Sequence, residues 1–162
     1  MIPTAELSMI RIGLISDTHG LLRPEARAFL RGCDHIVHAG DIGRPEILAE
    51  LGELAPLTAI RGNIDTAAWA AAVPETRRVE LAGLRLLVLH DRKQLDRDPA
   101  ADGIDVVVSG HSHKPLIEER DGVLYVNPGS AGPRRFKLPV TAAELVVSDG
   151  AVTPRIVDLL AS

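Results

Sequence analysis

The stretch Val106-Val107-Val108-Ser109-Gly110-His111-Ser112-His113 constrains this chain more than any other: an apolar strand breaks at a glycine and delivers two imidazoles one residue apart. Alternate side chains of a strand share a face but point in parallel, so this pair does not readily chelate one ion. In the loop after the strand, each histidine can serve one of two adjacent ions. Such ions need carboxylates from elsewhere in the chain.

The rest of the sequence supplies them at matching places. Ile10 to Ile15 reads as a strand covered on both faces and runs into Ser16-Asp17-Thr18-His19-Gly20. Pro24 opens a helix over Glu25 to Arg31, and His35 to Ala39 forms a second strand ending in Gly40-Asp41. Pro45 opens the helix Glu46 to Leu54, with Ile47, Leu48, Leu51 and Leu54 at helical spacing. A third strand, Leu57 to Ile60, ends in Arg61-Gly62-Asn63. Strand, helix, strand, helix, strand implies a parallel sheet whose site lies at the carboxyl ends of the strands.

Beyond Pro74 the pattern changes. Thr76 to Leu81 and Leu84 to Leu89 are strands joined by Ala82-Gly83, and the second ends in His90-Asp91-Arg92-Lys93. Gln94 to Asp102 is polar and weakly helical, and the strand Ile104 to Ser109 follows. Pro115 to Arg120 pairs with Val123 to Val126 across Asp121-Gly122, and Val140 to Ser148 pairs with Ala151 to Leu159 across Asp149-Gly150. These hairpins predict a mainly antiparallel second half. The expected architecture is two mixed sheets packed face to face with flanking helices, in one domain over residues 10–162 behind a disordered extension, residues 1–9.

Composition removes several function classes. Net charge is −4, from 18 basic against 22 acidic residues, which leaves no basic footprint for a nucleic-acid duplex. Four aromatics, Phe29, Trp69, Tyr125 and Phe136, give no stacking track for a single strand. No apolar run is long enough to span a membrane. The single cysteine, Cys33, forms no intramolecular disulfide and reads as a small buried hydrophobe, and Met1 to Met9 has no signal pattern, so the chain is expected in the cytoplasm.

Collected, the polar residues at strand ends are Asp17, His19, Asp41, Asn63, His90, His111 and His113. Seven ligands exceed one tetrahedral zinc and suit two ions sharing a bridging carboxylate. A consistent division puts Asp17, His19, Asp41 and His113 on one ion and Asp41, Asn63, His90 and His111 on the other. Gly40, Gly62 and Gly110 each precede a ligand. Imidazole, carboxylate and amide without thiolate suit manganese, iron, zinc, nickel or cobalt better than magnesium or calcium. Two dications, two carboxylates and a bridging hydroxide leave the site near +1, which favours an anionic ester and makes hydroxide the nucleophile. His35, His38, Asp65, Thr18 and Ser112 read as structural.

The ordered set Asp17-x-His19, Gly40-Asp41, Gly62-Asn63, His90, Gly110-His111-x-His113 and Asn127-Pro128-Gly129-Ser130 resembles the calcineurin-like metallophosphoesterase superfamily. Its short length resembles the small bacterial and archaeal phosphodiesterase branch, to which the retromer subunit Vps29 is related. The resemblance implies a four-layer α/β/β/α sandwich, the two-ion division given above, and hydrolysis of a small phosphodiester, often assayed with manganese. Where larger phosphatases of the superfamily carry a histidine after Gly-Asn, this chain has Ile64, which favours acidic leaving groups. Where the small branch commonly carries His-Gly-His, this chain has His90-Asp91-Arg92, and Arg92 becomes a candidate for holding a phosphate oxygen, with Lys93, Arg134 and Arg135 as further basic candidates. The rival reading is a Vps29-like interaction scaffold with a vestigial pocket, which has no need to keep all seven ligands. A homo-oligomer that hides a sheet edge is also compatible with this composition.

Overall fold

A computed structural model of the chain describes residues 9–161. The expected extension, residues 1–9, lies outside the described residues except for Met9.

The first sheet contains β1 (Ile10–Ile15), β2 (His35–His38) and β3 (Leu57–Ala59) in parallel, linked by α1 (Pro24–Leu30) and α2 (Pro45–Leu54). Proline opens both helices, where its missing N–H costs nothing. The second sheet contains β4 (Thr76–Leu81), β5 (Leu84–Leu89), β6 (Val106–Val108), β7 (Leu116–Arg120) and β8 (Val123–Asn127). The last hairpin, β9 (Thr141–Ser148) and β10 (Ala151–Asp158), returns to the first sheet, with β9 antiparallel to β1. The strand orders are β10-β9-β1-β2-β3 and β4-β5-β6-β8-β7.

The three tight hairpins fall where the sequence predicts. Ala82-Gly83, Asp121-Gly122 and Asp149-Gly150 all take positive φ at both central positions, the twist a two-residue hairpin needs. The second half is mainly antiparallel, as expected, through the pairs β4–β5, β7–β8 and β9–β10. The centre of the second sheet departs from that pattern: β5, β6 and β8 run parallel, and the edges β4 and β7 are reversed. Hairpin signals report which neighbours in sequence pair, whereas the segment from Asp91 to Asp105 carries the chain back without a regular helix and aligns β6 with β5.

Alternation divides β1 between two cores. Ile12 and Leu14 join Val37, Leu86, Val106 and Leu145 between the sheets, while Ile15 packs with Ile36, Leu30, Ile47 and Leu51 beneath the helices. Each fully buried Ile or Leu contributes about 1.5–3 kcal/mol relative to exposure. A Cβ at Gly13 would lie 2.5 Å from Leu30 Cδ2 and 2.9 Å from Cys33 Sγ, so glycine lets α1 sit directly on β1. Cys33 is buried there and burial pushes its thiol pKa up, consistent with a packing role. The fourth layer is thin: Tyr125, Val107 and Leu89 are covered by a 3-10 turn, Arg92–Gln94, and the segment around Leu95 and Ile104. Among the described residues, no helix is long and apolar enough to cross a membrane.

Candidate metal centre

The parallel strands of both sheets end at one edge of the sandwich. There β1 delivers Asp17 and His19, β2 delivers Asp41, β3 leads to Asn63, β5 to His90, and β6 to His111 and His113. Five of these residues leave their strands with a left-handed backbone: Asp17 (φ 56), His19 (φ 46), Asp41 (φ 56), His111 (φ 71) and His113 (φ 65). Non-glycine residues adopt this region rarely, and such outliers collect at sites where surrounding structure over-determines them. Here the determinants are cross-loop hydrogen bonds: Asp17 N donates to Gly40 O at 2.9 Å, and His19 N to Asp41 O at 2.9 Å. Glycines permit the close approach. A Cβ at Gly110 would lie 2.6 Å from Asp17 Oδ2, and one at Gly62 would overlap Asp41 Oδ1.

Two groups of ligand-type atoms result, each with its members within 4.8 Å of one another: Asp17, His19 and His113, and Asp41, His90 and His111. Asp41 Oδ2 lies between them, 3.5 Å from His19 Nε2 and 3.1 Å from His90 Nε2. Asp17 Oδ1 is 3.4 Å from His113 Nε2 and 3.8 Å from His90 Nε2. Asn63 is exposed and lines a cleft of about 560 Å³ with His90, His111 and Asp91. Of the five buried side-chain atoms that find no hydrogen-bond partner among the described residues, four belong to this site, Asp17 Oδ1, His19 Nε2, His90 Nε2 and His113 Nδ1, and the fifth is Glu50 Oε2. Buried atoms left so cost about 1–3 kcal/mol each, a penalty that coordination to divalent cations removes. The donor set therefore fits two such ions.

Neighbouring groups hold the ligands in the required state. Asp17 Oδ2 accepts from Ser16 Oγ at 2.7 Å and from His111 N at 3.1 Å, leaving Oδ1 free. Burial would raise the Asp17 pKa, but His113, His19 and Ser16 outweigh it and hold the carboxyl well below its usual range. Asp41 is lowered similarly: burial opposes, while His90 and the Ile64 N–H prevail. His90 Nδ1 donates to Ala39 O at 2.7 Å, which leaves the Nε2 lone pair facing the site. Burial would depress the His90 pKa, and Asp41, Ala39 O and Asp17 reverse this to a net rise.

The model of the calcineurin-like phosphoesterase superfamily domain matches residues 10–150. This chain belongs to that superfamily. A probable metallophosphoesterase of Methanothermobacter thermautotrophicus is 39% identical to this chain over 141 residues, covering 79% of this chain and 81% of the relative. A phosphodiesterase of Methanocaldococcus jannaschii is 30% identical over 139 residues, covering 74% and 83% of the two chains. The solved structure of vacuolar protein sorting 29 from Cryptosporidium parvum shares the fold, with a TM-score of 0.75 at 18% identity over 92% of this chain and 97% of that one.

Asp65 and His38 play the structural parts expected of them, and Asn127, to which the sequence reading gave no role of its own, joins them in holding the loops of the site. Asp65 is buried and accepts from the backbone N–H groups of Ile42, Gly43 and Gly62, at 3.0, 2.9 and 2.8 Å, clamping the Asp41 loop to the Asn63 loop. Asn127 Nδ2 donates to Gly110 O at 2.9 Å and to Ser112 Oγ at 3.1 Å, anchoring the histidine loop. It ends β8 as the ligands end their strands, and that shared position was the available signal. His38 is fully buried, with Nδ1 accepting from Gly40 N at 3.0 Å and Nε2 paired with Thr18 Oγ1 at 3.0 Å. Burial lowers its pKa to about 4, so it stays neutral beneath the loops.

None of the basic candidates, Arg92, Lys93, Arg134 and Arg135, lines the cleft, and Arg92 is held away from it. Its guanidinium pairs with Glu118 Oε1 at 2.7 Å and stacks 4.0 Å from the Tyr125 ring centroid. The turn after His90 carries Arg92 onto the outer face of the second sheet, where the Glu118 carboxylate, which also pairs with Arg120, and the Tyr125 ring hold it. The cleft is lined instead by Arg61, which is itself tied to Val73 O and Glu75.

Proposed function

We propose that this phosphoesterase hydrolyses small phosphodiesters with two divalent metal ions, one held by Asp17, His19, Asp41 and His113 and the other by Asp41, Asn63, His90 and His111. The observation that carries the reading is the convergence of four buried, unpartnered ligand atoms into two groups with the Asp41 carboxylate between them. Divalent ions there supply Lewis acidity, activating water and neutralising the charge that develops on phosphoryl oxygens during in-line displacement.

The chain's own groups set the stage for that chemistry. Asp17 and Asp41 stay ionised at neutral pH, so both carboxylates are ready as ligands without loss of a proton. The Ala39 carbonyl fixes the tautomer of His90, and Ser16 and the His111 N–H fix the rotamer of Asp17. Ile64, 41% exposed after Asn63, has no proton to give a departing alkoxide. Turnover should therefore rise steeply with leaving-group acidity, p-nitrophenolate leaving far faster than an alkoxide.

The test is hydrolysis of bis(p-nitrophenyl) phosphate by chelator-stripped protein after return of Mn²⁺, Fe²⁺, Zn²⁺, Ni²⁺ or Co²⁺. Metal-dependent turnover that disappears in Asp41→Asn and His111→Ala is expected. Stoichiometric metal binding without turnover by any of these ions would overturn the reading in favour of an interaction scaffold.

A further inference from the structure

The two ligand groups leave a charged surface beside them unused. The loop carrying His111 and His113 continues through Lys114, and with the turn 133–138 it bounds an open groove of about 860 Å³ lined by Ser112, Lys114, Arg135, Phe136, Lys137 and Leu138. Ser112 lies between His111 and His113 in the chain, so the groove is next to the histidine loop. The turn is closed on itself: Arg134 Nε donates to Leu138 O at 3.2 Å and Leu138 N to Arg135 O at 3.1 Å. Ser112 Oγ accepts from Lys114 N at 3.1 Å and from Asn127 Nδ2, which fixes the opposite side.

Phe136 stands at the tip of this turn, 89% exposed and with φ 54. Exposure of a phenyl ring and a left-handed backbone at a bulky residue are both unfavourable, and no packing among the described residues offsets either. Elsewhere Arg44, Arg61, Arg78, Arg92 and Arg155 each hold a carboxylate, while Arg23, Arg31, Arg77 and Arg85 form no ion pair among the described residues, so what sets the groove apart is the clustering of its cations beside an exposed ring. Among the described residues, Lys114, Arg134, Arg135 and Lys137 form no ion pair. The opposite cleft has Glu75, Asp91 and Asp96 in its lining. Anionic parts of a substrate are thus drawn to the Phe136 side.

We infer that this groove receives a nucleobase and a second phosphate, making the substrate a phosphodiester built on one nucleotide unit with a further phosphate. This rests on the phosphodiesterase reading above. A flat ring exposed among cations stacks a base without hydrogen-bond readout, and the cations hold the additional charge. One unit is specified because the other aromatics lie elsewhere: Tyr125 is buried under Arg92, and Phe29 and Trp69 pack beneath the helices. A single-strand track needs successive rings, and a membrane anchor needs a broader apolar face.

The probe is ADP, which has a base and a second phosphate but no cleavable diester, compared with inorganic pyrophosphate by calorimetry on metal-loaded protein. Wild type should bind ADP about tenfold more tightly than pyrophosphate, the scale of one stacked base. Phe136→Ala should abolish that difference, Phe136→Trp should restore it, and Arg135→Ala/Lys137→Ala should weaken both ligands. In kinetics, the kcat/KM ratio of thymidine 5′-(p-nitrophenyl phosphate) over methyl p-nitrophenyl phosphate should fall about tenfold in Phe136→Ala. Equal binding of ADP and pyrophosphate by wild type would overturn the inference. So would loss of anionic-vesicle binding, or of a dimer, in Phe136→Ala with ADP affinity intact. Failure of wild type to hydrolyse methyl p-nitrophenyl phosphate with any metal would instead remove the phosphodiesterase reading, leaving ADP binding to be judged separately.

Discussion

The group formed by Asp17, His19 and His113 and the group formed by Asp41, His90 and His111 have one carboxylate and two imidazoles each, but they differ in enclosure. Side-chain exposure is 0%, 20% and 4% in the first, against 5%, 8% and 46% in the second. In the first, Asp17 is held by Ser16 and the His111 N–H, and Ser130 Oγ donates to its carbonyl at 3.0 Å. In the second, His90 is fixed by Ala39 O, whereas the His111 ring lies 3.8 Å from Asp91 Oδ2 and edge-on to the His90 ring at 5.2 Å between centroids. One half of the centre is built like core and the other like a surface. The open half faces the cleft, so under the two-ion proposal it is the half expected to meet substrate and to exchange its ion first.

The largest effect is expected at Asp41, whose carboxylate lies between the two halves and would bridge both ions in the proposed site. Asp41→Asn should lower kcat/KM by about 10²–10³-fold, the scale for losing one group that stabilises transition-state charge. Retained activity would mean that the halves act independently. Unequal enclosure is tested next: two-step metal titration of wild type should show the first ion bound at least about tenfold more tightly than the second. His111→Ala should keep one ion and His113→Ala should disturb the tight one; identical stoichiometry in both variants would erase the distinction. Asn127→Ala removes two donors from the histidine loop and should cost about 1–3 kcal/mol in urea denaturation, with a larger loss of affinity at the weaker metal step. An unchanged midpoint would show that the loop needs no anchor.

The smallest effect is on pH. In metal-free protein the raised His90 pKa gives stability present below the ordinary histidine value of 6.5 and lost as pH rises through the folded value. His38 acts oppositely: with its pKa lowered to about 4, it loses stability as pH falls below 6.5. The depressed Asp17 and Asp41 contribute above the ordinary carboxylate value of 3.8, and that contribution is lost as pH falls through their folded values. Metal-free stability should therefore peak near neutrality. Added metal, which requires neutral His90, should remove only the decline at high pH. Parallel urea midpoints at pH 6.5 and 8 with and without metal would contradict the assignment of His90 as a ligand.

Much of this centre could be read along the chain. Strand periodicity over Ile10–Ile15 and His35–His38, proline at both helix starts, and the hairpins at Ala82-Gly83, Asp121-Gly122 and Asp149-Gly150 are local signals, decided within a few residues of backbone sterics and alternation. Because each parallel strand ends at the same edge, the positions of Asp17, Asp41, His90 and His111 after their strands already implied that they meet. Sequence spacing carried no information about what crosses between strands. The parallel centre of the second sheet depends on how the segment after Asp91 returns, the turning of Arg92 onto Tyr125 depends on a face formed by β7 and β8, and the clamps made by Asp65 and Asn127 join loops far apart in sequence. By itself the sequence determined the elements and the inventory of ligand chemistry, because those follow from local sterics and residue type. Only the tertiary structure decided the enclosure of each half, the left-handed backbone at five ligands and the cationic lip around Phe136, because those arise from contacts between segments that no local pattern encodes.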